Sequence, residues 1–325
     1  MEQENTEHVP VMLGLVLDTL TLRPGMHVVD ATLGGGGYTR AMLEAVGPKG
    51  SVIALDWDQT ALDRFQERVA QDEFLQTAQK TGRLVLVRSS YADTANVLHE
   101  NGWRTADAIV ADLGLSSDQL ADPSRGLSFQ TDGPLDMRLN SDETVQASHI
   151  LNQWDEDRLA DLFQTYGDEP EAKRIATAIV LARKHAPLAT TVALRELIWN
   201  NVVPARRRGK VHPATRIFQA LRIAVNSERH HLERFLQAIP SVLTLGGKTA
   251  IVSFHSGEDA LVKHQFQKEI RAAASRLRWV TKKPLVPTPD EIRMNPRARS
   301  AKLRAVERQD AVSPKNKNKY YASLF

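Results

Sequence analysis

The chain of 325 residues contains no cysteine, which excludes disulfides and thiolate zinc sites and leads us to expect an intracellular, cytoplasmic setting. No run of about eighteen apolar residues occurs, so neither a membrane span nor a membrane partner is expected. The opening Met1-Glu2-Gln3-Glu4 is acidic and polar, unlike a signal peptide. Neither a Gly-x-Ser-x-Gly elbow nor a P-loop Lys-Ser/Thr is present, so hydrolase and NTPase readings drop out. The histidines include no His-Glu-x-x-His, and His230 and His231, being adjacent, point to different helix faces; no metal is expected.

The richest stretch is Val28-Val29-Asp30-Ala31-Thr32-Leu33, which runs into Gly34-Gly35-Gly36-Gly37 and then Tyr38. A β-branched strand ending in an acid, then glycines, then a helical pattern, is the arrangement that lets backbone approach a ligand closely. Ser51-Val52-Ile53-Ala54-Leu55-Asp56 reads as the next strand, and Asp56 stands where an acid accepts from ribose hydroxyls. The glycine run alone leaves NAD, FAD and S-adenosylmethionine open. Asp30 shifts the balance, because a carboxylate there repels a pyrophosphate and attracts the ammonium and sulfonium of S-adenosylmethionine.

Strand patterns recur at 27–31, 51–56, 83–88, 107–112 and 248–254, with helical patterns at 39–46, 58–70 and 93–100. This alternation predicts a parallel, doubly wound α/β sheet. The long stretch between the fourth and fifth strands reads as helix at 155–166, 170–185, 190–200 and 214–239, far more than a crossover needs. We therefore expect a discontinuous sheet domain, 1–114 and 214–325, with an inserted helical substrate-recognition domain at 115–213. The segment 214–245 is expected to serve as the crossover. A helix at 258–276, a Pro-rich linker at 284–296 and a basic tail are expected to follow.

The fourth strand ends in Asp112, where a doubly wound fold faces the transferred group, and Ser116 and Ser117 follow either as substrate-orienting groups or as a helix cap. The stretch 122–138 is dense in Gly, Pro, Asp and Arg; Phe129 and Met137 within it suggest an ordered loop that packs on something. His255, after the fifth strand, is a candidate for proton shuttling or for a structural hydrogen bond. The formal net charge is only +3, yet residues 197–227 hold six Lys/Arg and no acid, and 271–308 hold eleven against three acids. Such blocks suit a polyanion partner, with solvated surface charge as the alternative.

With these segments read, the chain resembles the bacterial RsmH (MraW) family of small-subunit ribosomal RNA cytosine-N4 methyltransferases. The resemblance is carried by His8-Val9-Pro10-Val11, by Asp30-Ala31-Thr32-Leu33-Gly34 through Tyr38, and by Asp112-Leu113-Gly114-Leu115-Ser116-Ser117 with Gln119-Leu120. It continues through Arg125-Gly126-Leu127-Ser128-Phe129 and Asp132-Gly133-Pro134-Leu135-Asp136-Met137-Arg138 to His212-Pro213-Ala214-Thr215-Arg216 and Phe218-Gln219-Ala220-Leu221-Arg222-Ile223. Ser253-Phe254-His255-Ser256, Glu258-Asp259 and Asn295-Pro296-Arg297-Ala298-Arg299-Ser300 complete it.

The resemblance implies a class I, Rossmann-like S-adenosylmethionine-dependent methyltransferase acting on small-subunit ribosomal RNA or the 30S particle. It places cofactor contacts on Gly36, Gly37, Tyr38, Asp56, Tyr91, Asp112 and Gln119. Asp112 and His255 are the candidates for handling the amine proton, with Asp136 behind them. Arg206, Arg207, Arg208, Arg216, Arg297 and Arg299 are the candidate RNA contacts. Many members have His where this chain has Tyr38; its backbone N–H can still serve, but an imidazole role is lost. Gly257 is a lesser departure, standing where an apolar residue is common. A homodimer is left open. Two rivals stand beside this reading: a nicotinamide-dependent oxidoreductase, and a non-catalytic RNA-binding assembly factor on the same fold.

Overall fold

The computed structural model describes residues 10–209 and 211–311. Seven strands, β1 (His27–Asp30), β2 (Ser51–Asp56), β3 (Leu84–Arg88), β4 (Ala106–Asp112), β5 (Leu243–Ser253), β6 (Leu277–Trp279) and β7 (Lys302–Arg308), form one sheet in the order β3-β2-β1-β4-β5-β7-β6. β1 to β5 run parallel, and β7 lies antiparallel between β5 and β6.

The parallel strands are apolar throughout because both faces are covered. Val28, Val52, Ala54, Val110 and Val252 face a core with Met42, Leu43, Phe65 and Val69 from the helices Gly37–Val46 and Gln59–Gln71. Val29, Ile53, Leu55, Ile109 and Ile251 face the opposite core, with Val97, Phe235, Leu236 and Phe266 from the helices Thr94–Glu100, Glu228–Val242 and Ser256–Arg271. The doubly wound expectation is met. The strand order reverses between β1 and β4, so the crevice of such a sheet opens beyond their carboxyl ends.

Contacts divide the chain into two compact units: one runs to Gly114 and resumes at His230, and the other is Leu115–Arg229. The expected insertion ended at 213. The helix Ala214–Val225 instead buries Ile217, Phe218 and Leu221 in the second unit's own core, against Phe163, Ile175, Ile179 and Ile198. The single helix expected at 214–239 is broken at Asn226 and Ser227, the latter at φ +48°, and only Glu228–Val242 serves as the crossover.

The C-terminal region departs from expectation as well. Residues 284–311 are not linker and tail: Leu285 bridges Leu303, a short helix spans Pro289–Met294, and β7 enters the sheet beside β5. β7 reads as a basic run, Lys302-Leu303-Arg304-Ala305-Val306-Glu307-Arg308, because its charges are absorbed locally. Arg304, 8% exposed, donates through Nε to Asp259 Oδ1 at 2.6 Å, and Lys302 Nζ reaches Oδ2 at 3.1 Å.

Candidate functional site

Parallel register brings the acids of β1, β2 and β4 to one edge of the sheet. Asp30 pairs with Ala54 and Val110, and Asp112 with Val252, so their side chains emerge at successive strand ends. Between them the chain turns. Gly36 N–H donates to Leu33 C=O at 2.7 Å, and Gly34 and Gly36 sit at φ +49° and +76°. A Cβ on Gly36 would stand 2.0 Å from the Phe65 ring, so this position requires glycine on both counts. The turn opens the helix Gly37–Val46, whose first-turn amides, Gly37 and Tyr38 among them, have no intrahelical acceptor.

Each acid has a distinct setting. Asp30 is fully buried, accepting from Thr39 Oγ1 at 2.6 Å and from Thr32 N–H at 3.2 Å. It therefore props the turn from beneath rather than facing a ligand directly. Burial pushes its carboxyl up to about 7, against the pull of those hydrogen bonds. Asp56 accepts from Gly34 N–H at 2.9 Å and Asp58 N–H at 2.8 Å, tying the end of β2 to the glycine turn. Burial raises it to about 6, and those amides limit the rise. Asp112 donates its N–H to Thr32 Oγ1 at 2.7 Å and has its carboxyl held by the Gly114 amide, yet its Oδ1 is buried with no partner. Burial, with Asp30 and Glu258 adding negative charge, raises Asp112 to about 7.

His255 caps the helix Ser256–Arg271. Its Nδ1 accepts from Glu258 N–H at 3.4 Å, which leaves the proton of the neutral ring on Nε2. Nε2 lies 3.0 Å from Glu258 Oε1 but off hydrogen-bond geometry. Glu258 in turn accepts from Phe254 N–H at 2.9 Å. Glu258 thus stands behind both Asp112 and His255, a role that only its place in the quoted Glu258-Asp259 string could have signalled.

Tyr38 is buried, and its hydroxyl donates to Val11 C=O, so the side chain belongs to the core and only the backbone is offered at the turn. Burial, then the charges of Asp112, Asp30 and Glu291, push the phenol well above its ordinary value. Tyr91 follows β3 and packs edge-on against Phe235, with centroids 5.5 Å apart. Trp57, directly after Asp56, lies beside the His231 ring with centroids 4.5 Å apart, and His231 Nδ1 is 2.9 Å from Ser90 Oγ; the sequence reading named His231 only as one of an adjacent pair and did not name Trp57.

Gln119, Asp136 and four of the six candidate arginines lie in the second unit. Gln119 and Ser116 form a reciprocal cap: Ser116 N–H donates to Gln119 Oε1 at 3.0 Å, and Gln119 N–H to Ser116 Oγ at 3.1 Å. Asp136 is a corrected candidate. Arg138 grips it in bidentate fashion at 2.7 and 2.8 Å, and Gln146 donates at 3.1 Å. Burial raises its carboxyl, but Arg138 outweighs that and holds it below the usual range, so it locks a loop and is not poised to take a proton. That loop is ordered on its own unit: Leu127, Leu135 and Met137 are buried, and Asn226 donates to Met137 C=O at 2.8 Å.

The candidate RNA contacts split. Arg206 pairs with buried Glu169 at 3.0 Å, Arg207 donates to Asn200 C=O at 3.0 Å, and Arg216 donates to Asp168 C=O at 2.5 Å. Arg208, Arg297 and Arg299 are exposed. Among the described residues no His/Asp/Glu group could hold a metal, and no helix is long and apolar enough to cross a membrane.

A glycine turn beside acids raised by burial, one with an orphaned oxygen, is a cradle for a cationic ligand. The comparisons agree with this chemistry. The MraW methylase family model matches residues 5–309. The chain belongs to this family. Its methyl donor is S-adenosylmethionine, and the sheet order with antiparallel β7 is the Rossmann-like class I methyltransferase arrangement. Among similar proteins is "Ribosomal RNA small subunit methyltransferase H" of Thermomicrobium roseum, 43% identical over 317 residues and 94% of each chain. The protein of the same name from a Cyanothece species is 46% identical over 306 residues, 94% of this chain and 96% of that one. Of solved structures, an rRNA methylase from Streptococcus thermophilus is 12% identical with TM-score 0.42, covering 93% of this chain and 99% of that one.

Proposed function

We propose that this chain transfers a methyl group from S-adenosylmethionine to the exocyclic N4 amine of a cytidine in small-subunit ribosomal RNA. The observation that carries the reading is the partnerless, buried Oδ1 of Asp112 beside the glycine turn. Family membership and the names of the relatives support the acceptor class. The residues present fit the donor. The amides of Gly37 and Tyr38 at a helix start suit its carboxylate. Asp56 suits the ribose hydroxyls, Tyr91 borders the base, and Asp112 meets the positive charge. Acids at these strand ends oppose the pyrophosphate of a dinucleotide, which weighs against the oxidoreductase rival.

The bound donor supplies an electrophilic methyl on a sulfonium; the chain supplies position and a proton acceptor. The N4 lone pair is delocalised into the ring, so alignment carries much of the barrier reduction, on the order of 7–11 kcal/mol in favourable cases. Asp112, raised to about 7, is matched to accept the amine proton near neutral pH. His255, whose Nδ1 accepts from Glu258 N–H, is placed as a donor through Nε2 rather than as a base. The target base must be unstacked, because an A-form helix hides its edge.

Tritiated-methyl S-adenosylmethionine with unmethylated small ribosomal subunits, followed by nucleoside mass spectrometry, tests this. N4-methylated cytidine is the expected product. Label in another nucleoside would overturn the acceptor atom. No label in RNA with the donor bound normally would favour the assembly-factor rival.

A further inference from the structure

The second unit carries a column of rings that the methyl-transfer chemistry leaves unexplained. Buried Phe218 meets Phe129 edge-on at 5.2 Å, Phe129 stacks on His212 at 4.8 Å and 27°, and His212 stacks on Trp199 at 5.2 Å and 18°. Two of the motif strings, one ending in Phe129 and one beginning at His212, thus converge on a residue, Trp199, that belongs to neither. Burial and the nearby Arg195 hold the His212 imidazole below its ordinary pKa, and its Nδ1 accepts from Ala214 N–H at 3.1 Å. A neutral ring is therefore sandwiched between two aromatic neighbours.

The column ends at the surface. Trp199 is 36% exposed, and Val203, four residues on, is exposed too. Arginines follow it closely in sequence, and one exposed acid, Glu196, precedes it by three residues on the same helix. The Arg207 guanidinium lies 5.9 Å from the Trp199 ring centre and donates only to carbonyls, which leave its charge uncancelled, and Arg208 is exposed. Arg206 of this block pairs with Glu169. An exposed indole backed by a stack of rings, with the Arg207 guanidinium 5.9 Å from its ring centre, matches a base with its phosphate better than it matches an apolar protein surface.

We infer that the Trp199 end of this column is a stacking platform for an unpaired nucleotide of RNA. The inference rests on RNA being the acceptor and goes beyond it by naming a base-binding surface. It does not need a particular base, since every base presents a π-face.

The test uses the full chain and a single-stranded RNA ten-mer, read by anisotropy and, with 2-aminopurine at successive positions, by quenching on stacking. Trp199→Leu should weaken binding by about 5- to 100-fold and abolish the quenching, while Trp199→Phe keeps most of both. The salt slope should be unchanged in Trp199→Leu and reduced by about one in Arg208→Gln. Far-UV circular dichroism and a thermal transition like those of the wild type show that the variants are folded. Wild-type RNA affinity and quenching in a folded Trp199→Leu would overturn the platform, even with methyl transfer to small subunits intact. Wild-type RNA affinity together with lost binding to small subunits would also overturn it, assigning the surface to a ribosomal protein. Conversely, quenching at Trp199 without methyl incorporation by the wild type would uphold the platform while the proposed function fails.

Discussion

Two groups of acids in this chain have opposite electrostatic settings. Asp30, Asp56 and Asp112 sit at strand ends around the glycine turn with no basic side chain against them, and burial raises all three. Asp136 and Asp259 are also partly buried, but Arg138 in one case, and Arg304 with Lys302 in the other, hold them below the ordinary range. The second group is complete as it stands. The first lacks a positive partner that the protein does not supply. A fold tolerates such a deficit where a ligand makes it good, so the contrast separates a binding site from structural ion pairs more sharply than burial does.

The strongest way to break this contrast is to remove the acid whose oxygen has no partner. Asp112→Ala should lower the rate of methyl transfer by about 10²-fold or more without lowering the thermal transition at neutral pH, since the buried charge is removed with it. Single-turnover kinetics on small subunits would measure it, and an unchanged rate would exclude Asp112 as proton acceptor. In the complete group the effect should reverse. Arg304→Met leaves the Asp259 carboxylate largely buried and short of a partner, which costs about 3–5 kcal/mol of folding stability by denaturant titration, with little change in donor affinity of the folded fraction.

Much of the first group was legible in the sequence, because strand ends and glycine turns leave local marks. Val28-Val29-Asp30 and Ile109-Val110-Ala111-Asp112 are apolar on both faces and close with an acid, which gives strand and position together. What the sequence did not carry is what lies opposite each acid. Asp112 and Asp136 look alike as letters; Arg138 beside one and an orphaned oxygen on the other appear only in three dimensions. β7 was hidden for the same reason, since Lys302 and Arg304 read as tail until Asp259 is seen across from them. The unit boundary was missed because the apolar stripe of Ala214–Val225 does not say which core it enters.

pH sharpens the comparison, and its sign follows from linkage. Asp30 and Asp112 have native values near 7 against about 4 in the unfolded chain, so the native state binds more protons between those limits. Their contribution to stability therefore falls as pH rises from about 4 to 7 and is level above that. Asp136 and Asp259, held low, contribute stability at neutral pH that is lost only as pH falls below the ordinary carboxylate range. A cationic donor favours the ionised Asp112, so its affinity should rise by up to about tenfold per pH unit as the pH climbs towards 7 and flatten above it. Calorimetry in buffers of different ionisation enthalpy would detect the released protons. A pH-independent affinity with no proton release would remove the electrostatic account of the site.

The smallest effect concerns Tyr38, the buried aromatic in the first turn of the helix that follows the glycines. Tyr38 offers the turn its amide, while its hydroxyl is spent on Val11 C=O, a carbonyl that is otherwise buried. Tyr38→Phe keeps the ring in the core with Met42 and Phe65 and the amide at the helix start, and removes only that hydrogen bond. Stability should drop by about 1–2 kcal/mol, the consequence of an unsatisfied buried acceptor, and donor affinity should change less than about twofold. If affinity instead falls with stability unchanged, the hydroxyl touches the ligand, and the assignment of this position to backbone alone is wrong.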